Sequence, residues 1–165
     1  MTDNGLPDHS VQEAGRYVVV RAKQGEDLLL SIARICERLD LKQGLIVTCI
    51  GSLAIARIAG ASARSDRKIG YGHASIEELK GPLSVLSCQG TIAQGEDGTT
   101  SPHLHGIFLT EDGRAVGGHI FEGSRVLVTM EIGLLETRGE DIRRKVVADT
   151  GTPHLEFGNA DNLRN

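Results

Sequence analysis

Aromatic side chains are almost missing from this chain, which has no tryptophan, two tyrosines and three phenylalanines. Without stacking surfaces, base stacking cannot be a major binding mode, which weakens a reading as a single-strand or RNA-recognition module. An excess of positive charge is missing as well. The formal net charge is −4, so the chain is not built to coat nucleic acid, although a local basic patch fits within that total. No apolar run approaches the ~18–20 residues of a membrane span, and Met1 to Gly5 has neither the basic nor the apolar region of a signal peptide. The cysteines (Cys36, Cys49 and Cys88) are an odd number without metal-ligand spacing. They read as buried thiols in a reducing compartment, and so as a cytoplasmic protein. Gly-x-Ser-x-Gly, Gly-x-Gly-x-x-Gly and Walker patterns are absent too, which argues against a serine hydrolase and the usual nucleotide folds.

What the chain has in plenty is glycine, 21 of 165 residues against a usual share of roughly 7%. With so little aromatic bulk, the expected core is aliphatic and tightly turned, with close backbone contacts. The length is that of one domain, and such a chain buries roughly 70% of its unfolded surface without needing a metal or disulfide to fold. Residues 1–14 are polar and aperiodic and read as a flexible N-terminal tail, 15–158 as the domain, and 159–165 as a frayed C-terminus. Tyr17 to Ala22 is β-branched and reads as a strand. Leu28, Ile32, Ile35, Cys36 and Leu39 then recur at spacings of three and four, predicting an amphipathic helix of about 14 residues. Beyond Gly44 the pattern is mostly that of strands: 45–50, 53–61, 76–79, 83–89, 103–110, 114–121, 125–135 and, more weakly, 144–148. Residues 62–72 and 94–101 read as loops. One helix among seven or so strands joined by short turns predicts an α+β fold with a largely antiparallel sheet.

Chemistry concentrates in one place, Pro102-His103-Leu104-His105-Gly106 followed by Gly117-Gly118-His119. Strand side chains alternate, so a His-x-His pair sends both imidazoles to the same face. A third histidine from a neighbouring strand completes the ligand set of an open zinc position, with the fourth place left for water or a small ligand. Spacing alone leaves a second reading open, in which these are ordinary polar residues near a sheet end. His9 and His154 fall in tails and His73 in a loop, each read as facing solvent. Arg57, Arg64, Arg67 and Lys68, and further on Arg143, Arg144 and Lys145, read as solvated charges. Glu131 or Glu122 is the candidate for a general base, and Glu131 otherwise reads as a surface strand residue or a partner to Arg125 or Arg114.

Several ordered motifs carry a resemblance. They are Val47 to Leu53, Glu78 to Ile92, His103-Leu104-His105, Asp112 to His119 and Thr129-Met130-Glu131-Ile132. Together they closely resemble the plants-and-prokaryotes conserved domain, PPC or PCC, over about residues 16–135, and Arg143 to Leu155 is similar to the tail of bacterial members. The resemblance implies an antiparallel sheet with a flanking helix, assembly as a homotrimer, and a zinc site at His103, His105 and His119. Plant relatives join the domain to an AT-hook, and bacterial members carry a DNA-binding label for that reason. No Gly-Arg-Pro core of an AT-hook occurs here, so direct DNA binding is expected to be weak and any DNA role to run through a partner protein. Two further classes stay open: a zinc-dependent enzyme acting on a small molecule, and a small-ligand sensor in which an anion or carboxylate completes the metal shell.

The shared site imposes a geometric condition. A two-residue turn at Asp112-Gly113 would set His119 opposite Gly106 and turn it to the wrong face, since a one-residue slip inverts every side chain. A three-residue loop, Glu111-Asp112-Gly113, pairs Thr110 with Arg114 and sets His119 opposite His105. The sequence therefore predicts that loop, with Gly113 in the left-handed region.

Overall fold

The structure, a computed structural model, describes residues 8–158. The elements in order are β1 (Gln12–Lys23), α1 (Leu28–Arg38), β2 (Gly44–Ala59), β3 (Ala61–Ala63), β4 (Tyr71–His73) and β5 (Glu77–Gly95). They continue with β6 (Thr100–Leu109), β7 (Ala115–Ile120), β8 (Arg125–Gly139), β9 (Ile142–Val147) and β10 (Thr152–Phe157). Eight strands form one sheet in the order β1-β8-β2-β7-β6-β5-β9-β10, and β3 pairs with β4 in a small hairpin of its own. All pairings are antiparallel except that of β5 with β9. The body is sheet-dominated, and α+β describes it only loosely.

Strand β2 organises the sheet. It runs beside β8 along one edge and β5 along the other, and its last residues, Ile58 and Ala59, turn to meet Ile120 and His119 of β7. Register irregularities between Ile46 and Ile55 let one strand serve three partners, because a bulge bends the chain and increases its twist. Strands β2, β5, β6 and β7 thereby form a closed circuit of hydrogen-bonded neighbours. The two separate runs expected over 45–50 and 53–61 are largely this single strand.

The single described helix begins where Asp27 accepts a hydrogen bond from the Leu30 N–H (3.1 Å) and another from the Gly123 N–H (2.6 Å). Such a cap contributes about 1 kcal/mol. Leu28, Leu29, Ile32 and Cys36 are buried, one stripe of the surface facing β6 and β8. Each fully buried leucine or isoleucine contributes roughly 1.5–3 kcal/mol. At 11 residues the helix is shorter than the periodicity predicts. The core around it is aliphatic as expected, and Phe108 is the largest fully buried side chain.

Other boundaries depart from expectation too: the strands expected over 76–79 and 83–89 are one strand, β5, which runs on to Gly95. Residues 12–14, read as tail, pair with 137–139 in β1; residues 1–7 and 159–165 lie outside the described range. The loop expected over 62–72 is closed at its base by the β3–β4 pairing. The loop expected over 94–101 narrows to the four residues between β5 and β6. Strand β10 was not expected at all, because its apolar content is low and its pairing with β9 supplies what its own sequence does not. None of the described helices is long and apolar enough to cross a membrane.

Candidate metal centre

His103 and His105 lie on β6 with Leu104 between them. Leu104 is fully buried, and strand alternation sends both imidazoles to the opposite face. The hairpin to β7 has the three-residue loop: Thr110 N–H donates to Arg114 O and Gly113 N–H to Thr110 O, each at 2.9 Å. Gly113 has φ of 81°, a conformation that costs glycine little and other residues more. His119 consequently stands directly opposite His105. Strand β7 is pressed between β6 and β2, and a Cβ at position 118 would lie 2.6 Å from the Ala59 carbonyl oxygen. The close approach that the glycines before His119 permit is therefore used.

The three rings converge. Centroids are 4.7 Å apart for His103–His119 and 5.2 Å for the other two pairs. One ring nitrogen from each lies within 4.8 Å of the others, with His103 and His119 half-buried and His105 exposed. Burial, then Arg144 and the neighbouring histidines, pushes the His103 imidazole down to about 4. Burial and then His103 do the same to His119, also about 4. Both rings are neutral at pH 7, which is the form that ligates a metal. The buried Nδ1 of His119 has no hydrogen-bond partner, an uncommon state for a buried polar atom.

A cavity of about 800 Å³ opens over the triad and is lined by Thr91, Pro102, Phe121, Arg144, Pro153 and Leu155 among others. Two of its residues correct the sequence reading. His73 is not a solvent-facing loop residue. It ends β4, half-buried, its ring 4.6 Å from His119 and edge-on to Phe121 at 5.5 Å. Arg144 is not a solvated charge. Only 7% of it is exposed, and its Nη2 donates to Thr91 Oγ1 at 2.8 Å while Nη1 lies 3.3 Å from His103 Nδ1. No local signal marks either residue: Arg144 comes from β9, which pairs with β5 far back in the chain, and His73 ends the short β4 of the β3–β4 hairpin. His154 also lines the cavity, exposed, its Nε2 about the hydroxyls of Thr150 (3.1 Å) and Thr152 (3.0 Å). Glu131 does not line it. That residue is exposed on β8, paired with Arg21 and Ile50, so strand position removes it from the triad's surroundings. Glu122 is likewise exposed, and its carbonyl accepts from Arg57. All three cysteines are buried and free, as expected.

Comparison with known proteins identifies the fold and the family. Bifunctional protein GlmU of Synechococcus sp. (strain JA-3-3Ab) is 27% identical over 142 residues, which cover 86% of this chain. The chain spans about a fifth of the length of the curated relatives it matches. Among solved structures, a plant- and prokaryote-conserved (PPC) protein from Pyrococcus horikoshii superposes with TM-score 0.77 at 28% identity, covering 91% of this chain and 97% of its own. A metal-containing protein from Archaeoglobus fulgidus gives TM-score 0.78 at 25% identity over 91% and 99%. A candidate DNA-binding protein from Bacteroides thetaiotaomicron shares the fold, with TM-score 0.70 at 16% identity over 90% and 99%. The pattern of the Plants and Prokaryotes Conserved (PCC) domain matches residues 9–138, most of the sequence, and the chain belongs to that family.

Proposed function

We propose that this protein is a zinc-binding module in which His103, His105 and His119 hold one ion and leave a position open to the cavity above them. The convergence of the three ring nitrogens within 4.8 Å carries this reading. Ligand nitrogens around a tetrahedral zinc ion sit about 3.3 Å apart, given Zn–N bonds of about 2.0–2.1 Å. The rings thus need to close by about 1.5 Å at most, within reach of side-chain rotation. Neutral imidazoles at His103 and His119 and the unsatisfied Nδ1 of His119 also suit a metal. The Archaeoglobus relative is a metal-containing protein, which favours the same assignment. An ion held by three neutral ligands keeps its full charge, and it would polarise a bound water or anchor a small ligand.

The module assembles as a homotrimer in this proposal. Tyr17, Val19, Ile50 and Val128 lie 58–73% exposed on β1, β2 and β8, an apolar surface that association would cover. Any DNA role runs through a partner, since the net charge is −4 and Arg144, the basic residue at the site, is buried. The cytoplasm is the proposed location, with the three buried thiols reduced. A second reading, a zinc-dependent enzyme or sensor for a small molecule, draws on the cavity over the triad.

Calorimetric titration of tag-free, metal-stripped protein with zinc tests the proposal. One ion should bind per chain, and His103→Ala or His119→Ala should weaken binding beyond the 10–100-fold that loss of an outer-shell partner costs. Equal affinity in wild type and variants would overturn it.

A further inference from the structure

The guanidinium of Arg144 stands out among the charges of this protein. It is 7% exposed, and among the described residues it pairs with no carboxylate. Of its five N–H donors, one reaches Thr91 Oγ1 and one approaches His103 Nδ1, while the buried Nε has no partner. An unpaired buried charge is among the costliest features a fold can carry. Strand β9 places it deliberately: its parallel pairing of Arg144 with Gly95 of β5 brings the side chain over Thr91 and into the wall of the cavity.

Metal loading would strip the guanidinium further. Arginine only donates, so His103 Nδ1 must offer it a lone pair. If the ion takes Nε2, the neutral ring carries its proton on Nδ1; if the ion takes Nδ1, the lone pair is used there. Either way the contact with Arg144 is lost, and a buried cation faces a second cation across the same cavity. The arrangement then lacks negative charge.

We propose that Arg144 anchors an oxyanion subsite: a carboxylate or phosphate group of a small molecule enters the cavity, accepts hydrogen bonds from the guanidinium and completes the coordination of the ion. The inference rests on the proposed metal site in that last step, and it names the class of ligand the open position takes. The cavity, about 800 Å³ with Pro102, Phe121, Pro153 and Leu155 in its wall, admits an organic body behind the anionic group.

Cobalt(II)-loaded protein provides the test, with acetate, oxalate and inorganic phosphate as probes and the visible absorption band as readout. A saturable change of the band is expected with at least one probe. The carboxylate and phosphate arms tell the two sources apart. Arg144→Gln should weaken the binding at least tenfold, and Arg144→Lys, which keeps the charge, should recover part of it. Circular dichroism establishes that both variants fold. Failure of cobalt to bind at all would remove the metal site. Calorimetry of the metal-free protein with the same probes would then decide the subsite alone, by whether binding depends on Arg144. No saturable binding of any probe, or equal affinity in wild type and Arg144→Gln, overturns the proposal.

Discussion

Replacing Gly118 by alanine adds one methyl group at the tightest point of the candidate centre. That Cβ would lie 2.6 Å from the Ala59 carbonyl oxygen and 3.1 Å from its carbon, where ordinary contact begins at 3.4 Å. Both obstructing atoms are backbone, so no side chain can rotate away. The pairing of Ala59 with His119 must open by about 0.8 Å, and overpacking of this kind costs about 1–3 kcal/mol. In a chain of this size each kcal/mol lowers the melting temperature by about 2–4 °C, so the expected loss is about 2–12 °C. His119 is the next residue, and moving its backbone displaces its ring relative to the other two. Zinc affinity should fall together with stability. Thermal unfolding in the presence of a chelator isolates the backbone effect, and zinc titration then reads the effect on the site. Gly60→Ala is the control, because nothing lies within 4 Å of a Cβ there and its φ is not positive; it should match the wild type or slightly exceed it. If Gly118→Ala melts with Gly60→Ala and binds zinc as tightly as wild type, the packing of β7 between β6 and β2 does not position His119.

The pH dependence of the metal-free protein should show two separate limbs. His103 and His119 sit at about 4 in the fold against an ordinary 6.5, so the unfolded chain takes up protons first and stability falls as pH drops from 6.5 toward 4. Glu136, held down to about 2 mainly by hydrogen bonds from Arg16, contributes stability present above its ordinary 4.5 and lost as pH falls toward 2. Glu136→Gln should cost about 1–2 kcal/mol at pH 7, allowing for the exposure of Arg16, and flatten only the lower limb; an unchanged acid limb would contradict the assignment. Light scattering at micromolar concentration should give three times 17.6 kDa, unchanged by duplex DNA at physiological salt. A monomer mass would remove the trimer, and an increase with DNA would contradict an indirect role.

How much of the site could be read from the sequence depended on distance along the chain. His103, His105 and His119 sit within one hairpin, where alternation and a loop count decide which face each side chain takes. The register and the φ of Gly113 follow from residues 103–119 alone. Arg144 and His73 carry no such local information. A basic Arg143-Arg144-Lys145 run looks solvated until β9 is seen to return parallel to β5. His73 looks like a loop residue until β4 closes against β3 beside Phe121. Strand β10 carries little apolar patterning of its own, and pairing with the neighbouring β9 supplies its order. The breaks expected in β2 at Gly51-Ser52 were real as register irregularities, but the chain bends there without ending the strand.

Anomalous diffraction at the zinc edge from crystals of the zinc-loaded protein tests the central claim most directly. One peak per chain should lie about 2.0–2.1 Å from a ring nitrogen of each of His103, His105 and His119. A peak bound elsewhere, or density at the triad with no anomalous signal, would contradict the metal centre.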